Sequence, residues 1–118
     1  MNDYQRLQLL VFQEAPGLWI VRGLEHDLTT EARSIGQAVR AMIRLVDSHT
    51  ASDALHQRAP LSNFRPAPQA YWNAFRSGTP IALSSLGVQA PRPWDVALAI
   101  ARHRPAAGCP ATPLAASA

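Results

Sequence analysis

The chain reads as an α+β protein: a small antiparallel sheet (β-β-β) with one main helix packed on it, followed by a C-terminal half of short helices. Three observations predict this. Two short apolar runs, Leu7–Gln13 and Leu18–Leu24, flank an Ala-Pro-Gly turn. A segment of helical spacing with a readable cap opens at Ser34. Nine of the ten prolines fall at or after Pro60, so long regular elements belong to the first half.

Leu7–Gln13 alternates with a period of two, Leu7, Leu9 and Val11 on one side and Gln8, Leu10 and Phe12 on the other. Glu14-Ala15-Pro16-Gly17 supplies turn chemistry, and Leu18–Leu24 is rich in Trp, Ile and Val, so the two runs predict a hairpin. Glu25–Asp27 reads as a break and Leu28–Arg33 as a short third strand. Ser34-Ile35-Gly36-Gln37 matches a capping box. Ile35, Ala38, Val39, Met42, Ile43 and Val46 then recur at helical spacing and predict the face that packs on the sheet. The helix is expected to end near Ser48–Thr50.

Residues 51–68 read as a connector. Pro68–Ser77 predicts a short helix, with Tyr71, Trp72 and Phe75 as anchors and Gly78 as its stop. Thr79-Pro80 is read as the start of a helix reaching Leu86, and Pro93–Arg104 as a final helix. The organisation expected is a sheet-and-helix unit over 1–50, a helical extension of the same domain over 51–104, and a disordered Pro/Ala tail over 105–118.

The 118 residues are one domain's worth, and 47% hydrophobic content is that of a folded protein. All eleven basic residues are Arg, against eight acids, a mild excess without a dense run. A single cysteine, Cys109, excludes an intrachain disulfide framework. The start Met1–Arg6 is polar and the apolar run after it is short, so neither a secretion signal nor a membrane span is expected, and a cytoplasmic location is the default.

The first unit, about residues 7–49, resembles the HicB-like antitoxin domain. The resemblance rests on the turn Ala15-Pro16-Gly17, the strand opening Leu18-Trp19-Ile20 and the helix start Ser34-Ile35-Gly36-Gln37-Ala38. Gly23-Leu24-Glu25 lacks the proline usual after the second strand, and Ala32 and Gln37 stand where the family favours Gly and Glu. The resemblance implies a partly antiparallel sheet with a helix on one face, a non-enzymatic protein-binding role and no cofactor. It further implies a small ribonuclease toxin as partner, engaged by exposed sheet surface and edges, often within a homodimer. The residues it points to are Arg22, Glu25, His26 and Asp27, whose plain alternative is a solvated strand end.

Two other classes have weaker signals. Ile81–Val88 looks like the first helix and turn of a helix-turn-helix with one residue too many, so DNA contact through Arg92, Arg102 and Arg104 is the alternative function. The helix that would follow presents Trp94, Asp95 and Val96 at its start, a poor base-reading set. His49, Asp53 and His56 would share one face of a continuous helix and form the nearest approach to a metal site of a small enzyme. The Thr50-Ala51-Ser52 step argues against that continuity. No phosphate-binding glycine loop or nucleophile elbow is found in the sequence.

Overall fold

The computed structural model describes residues 5–59, 61, 64–90 and 94–105. In chain order these form β1 (Gln5–Ala15), β2 (Leu18–Gly23), β3 (Leu28–Ala32), α1 (Ile35–Leu55), α2 (Gln69–Ser77), β4 (Thr79–Ile81), a 3-10 turn at Leu83–Leu86 and β5 (Trp94–Ile100). The strands make one five-stranded mixed sheet in the order β3-β2-β1-β5-β4. The fold is thus α+β as expected, with a larger sheet than the three strands the sequence predicts.

The hairpin forms where it was expected. Pro16 and Gly17 make its turn, and Gly17 has φ +75°, as the third position of a type II turn demands. Register slips between Gln13 and Ala15, so Glu14 sits in a bulge. β1 pairs antiparallel with β2 on one side and parallel with β5 on the other, Gln5 opposite Trp94 through Val11 opposite Ile100. It is therefore a central strand. Its unbroken run Leu9-Leu10-Val11-Phe12 is buried on both faces.

Each face has its own core. Leu7, Leu9 and Val11 join Val21, Leu28, Trp94 and Leu98 beneath Ala38, Val39, Met42 and Val46 of α1. Burying Val39 or Met42 contributes about 1.5–3 kcal/mol each. On the opposite face Leu10, Phe12, Ile20, Leu24 and Ala101 pack with Tyr71, Trp72, Ala74 and Phe75 of α2. The Ser34 half of the capping box forms, with Gln37 N–H donating to Ser34 Oγ at 3.2 Å.

Three elements differ from expectation. First, α1 runs on to Leu55, because Asp53 turns inward and anchors the chain that follows, its carboxylate accepting from Leu61 N–H at 2.7 Å. Second, Thr79–Ile81 is a strand, held by Pro80 opposite Ala99 in β5, and Leu83–Leu86 is a single 3-10 turn closed by Gly87 at φ +69°. Third, Trp94–Ile100 is a strand and not a helix. Its large residues Trp94, Val96, Leu98 and Ile100 alternate with Asp95, Ala97 and Ala99, a period of two that places the large ones under α1. The small side lets α2 close in: a Cβ on Gly78 would lie 2.9 Å from the Ile100 carbonyl oxygen and 3.3 Å from Ala99 Cβ. The C-terminal half is therefore a second helix plus two strands of the same sheet. The tail expected over 105–118 lies outside the described residues beyond Pro105, as does Cys109.

Candidate functional site

The four residues picked out after the second strand come together in one tight loop. β2 leaves the ladder at its end in an unusual way. Leu24 N–H still donates to the Gln8 carbonyl at 2.9 Å, but the Leu24 carbonyl turns away and accepts from Ala67 N–H at 2.7 Å. Gln8 N–H is left facing a gap, and Glu25 fills it. One carboxylate oxygen of Glu25 accepts from Gln8 N–H at 2.8 Å and the other from Gln8 Nε2, also at 2.8 Å. A side chain thus completes the ladder where the backbone has been diverted.

His26 follows and turns its ring to Trp94, edge to face at 6.3 Å between centroids and 83° between planes. Burial lowers its pKa below the ordinary 6.5, which favours the neutral ring. Its Nδ1 is buried and has no hydrogen-bond partner among the described residues. Asp27 takes a left-handed conformation at φ +51°. Its carboxylate receives Arg22 Nε at 2.7 Å and Arg22 Nη2 at 2.6 Å. The Arg22 guanidinium lies 4.3 Å from the centroid of the Tyr71 ring, so the loop is tied through Arg22 to α2.

Arg22, Glu25 and His26 are therefore engaged inside the molecule, and Asp27 is the exposed one of the four. Around them part of the second sheet face is not covered by α2. Arg6, Thr29, Glu31, Asp95 and Ala97 are exposed there, on β1, β3 and β5. Three acids, Asp27, Glu31 and Asp95, are thus presented on or beside rigid strands, with Arg6 opposite Asp95 in the β1–β5 register. No local pattern marks Tyr71, Ala67 or Trp94 as partners of this loop. The available signal was Gln8 itself, a polar residue within the apolar run from Leu7 to Phe12.

Comparison with protein-family models, with curated proteins and with solved structures returns no match.

The remaining sequence candidates are dispersed. α1 is continuous through His49 and Asp53, contrary to the break expected at Thr50-Ala51-Ser52, yet the three side chains do not converge. Asp53 is buried and bonds Leu61 N–H and Arg58 Nε, the latter at 3.2 Å. The Leu61 N–H, aided by Arg58 and His49, holds its carboxyl below the ordinary 3.8 against the opposing effect of burial. His49 lies edge-on to Phe64 with centroids 4.9 Å apart, and His56 Nδ1 lies 2.9 Å from the Ser52 carbonyl oxygen. No group of three or more His, Cys, Asp or Glu suited to a metal ion occurs among the described residues.

Arg92 lies outside the described residues. Arg102 and Arg104 follow a strand and do not end a helix, so the helix pair expected to carry them to DNA does not form. Arg104 is paired with Glu14 at 2.8 Å and ties the end of β5 to the β1–β2 hairpin. No helix among the described residues is long and apolar enough to cross a membrane.

Proposed function

We propose that this chain is a non-catalytic protein-binding module of the HicB-like kind, acting as the antitoxin partner of a small basic ribonuclease. The reading draws first on exposed carboxylates of the second sheet face, Glu31 on β3 and Asp95 on β5, and on a loop between their strands braced by Glu25–Gln8 and Asp27–Arg22. A basic partner meets there a rigid surface whose polar contacts need little ordering on binding. The order β1-β2-β3-α1, with α1 on one face, supports it further, because the HicB-like resemblance implies that arrangement.

The test is recovery of partners on the tagged full chain from its native host, followed by titration of the recovered protein's ribonuclease activity. Inhibition that saturates at a fixed ratio, and weakens roughly tenfold with Asp95→Arg, is expected. Asp95 is exposed, so the variant should keep the far-UV spectrum of the parent. Recovery of no small basic protein, or of one whose activity the chain leaves untouched, overturns the reading.

A further inference from the structure

Among the described residues the sheet has two unpaired edges, and they are not alike. β4 is three residues long and contains Pro80, which has no N–H to offer a neighbour. β3 is five residues long and contains no proline. The hydrogen-bond alternation shows which of its groups are free. Leu24 N–H bonds the Gln8 carbonyl, which makes Gln8 and Leu24 a bonded position. The bonded positions along β2 toward β1 are then Leu24, Arg22 and Ile20, and Gly23, Val21 and Trp19 turn to β3. Their partners Leu28, Thr30 and Ala32 are used up by β2. Thr29 and Glu31 point their N–H and C=O groups outward, away from the sheet.

We infer that the β3 edge pairs antiparallel with the β3 edge of a second copy of this chain, the twofold axis passing through Thr30. This register places Thr29 opposite Glu31 of the other copy and Glu31 opposite its Thr29. Both outward-facing positions of each strand are thereby bonded. Centring on Thr30 also brings Arg33, just past the end of β3, toward Asp27 of the other copy, just before its start, twice by symmetry. Both residues are exposed, and Asp27, which already holds Arg22, would be shared between Arg22 and the incoming Arg33. A register one residue away would set an outward group against an inward one.

The layer above the edge agrees. Arg40 bonds the Leu86 carbonyl at 3.2 Å and Gly36 approaches the same carbonyl, which puts that flank of α1 over the β5 side. At 100° per residue Ala41 and Leu45 fall on the opposite flank, above β3. Both are half-buried in the single chain. The twofold brings this flank toward its counterpart, so apolar area adds to the strand pairing. The inference does not rest on the toxin-binding reading: Asp27 and Glu31 belong to both surfaces, and Asp95 on β5, where that reading is tested, lies away from this edge.

The test is sedimentation of the full chain over a wide concentration range, with three variants. Thr29→Pro removes an outward N–H that no strand among the described residues uses, and Arg33→Glu sets like charges against Asp27. Each should weaken dimerisation roughly tenfold or more with the monomer's spectrum unchanged. Thr79→Glu, on the other edge, should change nothing. Thr30→Cys in a Cys109→Ala background should form a covalent dimer under mild oxidation, because a non-bonded antiparallel pair brings Cα atoms within disulfide range. This readout stands even if the proline variant fails to fold. A chain that stays monomeric throughout overturns the inference. So does a dimer that keeps its strength in Arg33→Glu and gives no Thr30→Cys cross-link. A dimer weakened as much by Thr79→Glu also overturns it and moves the interface to β4.

Discussion

The carboxylate of Glu25 stands in the backbone ladder opposite Gln8, receiving both its N–H and its side-chain amide at 2.8 Å. The Leu24 carbonyl that would have taken that N–H is committed to Ala67, in the segment leading to α2. One side chain thus allows the same stretch of backbone to serve two layers. Strand, loop and second helix are coupled at a single residue.

Removing that carboxylate should leave Gln8 N–H without its acceptor. Glu25→Ala is expected to cost about 1–3 kcal/mol, and Glu25→Gln less, since the amide oxygen can still accept. Urea denaturation measures the loss, and amide exchange at Gln8 locates it. An exchange rate at Gln8 unaltered in Glu25→Ala would show that the carboxylate is not part of the ladder.

His26 makes stability depend on pH in a known direction. Burial sets its folded pKa below the unfolded 6.5, so the unfolded chain gains the proton first as pH falls. Its contribution is complete above 6.5 and is lost as pH drops from there through the folded value. The denaturation midpoint of the parent should therefore fall more steeply between about pH 7.5 and 5 than that of His26→Phe. Parallel profiles for the two proteins would remove His26 as the cause.

Asp53 acts in the same sense at lower pH. The Leu61 N–H and the Arg58 guanidinium lower its folded pKa, so its contribution is present above the unfolded 3.8 and disappears as pH falls below it. Asp53→Asn should lower the midpoint at neutral pH and flatten the acid limb. It should also loosen the chain after α1, read as faster exchange of the Leu61 amide. If the variant kept the parent's acid slope, the assignment of that slope to Asp53 would fail.

Gly78 is chosen for space. A Cβ there would approach the Ile100 carbonyl oxygen to 2.9 Å and the Ala74 carbonyl oxygen to 3.0 Å, both backbone atoms that cannot swing aside. Gly78→Ala is expected to cost about 1–3 kcal/mol by forcing α2 from β5. A midpoint equal to the parent's would mean that the two elements already have slack.

Elements with local causes were legible in the sequence. The hairpin follows from alternating apolar residues around Pro16-Gly17, α1 opens where Ser34 caps it, and α2 lies between Pro68 and Gly78. The clustering of Arg22, Glu25, His26 and Asp27 was legible as well, since four neighbours in a turn cannot be far apart. Their internal roles were not, because Gln8, Trp94 and Tyr71 are distant in sequence and no local pattern pairs them.

What the sequence alone determined is therefore the β-β-β-α unit and α2, whose signals lie within a few residues of each other. Tertiary structure decided the rest. Trp94–Ile100 carries alanines that favour a helix and a period of two that favours a strand, and the free edge of β1 resolves the conflict by offering a parallel partner. The last turns of α1 likewise depend on Asp53 finding Leu61, eight residues further on. In both cases the deciding free energy comes from hydrogen bonds and burial between segments that the sequence keeps apart.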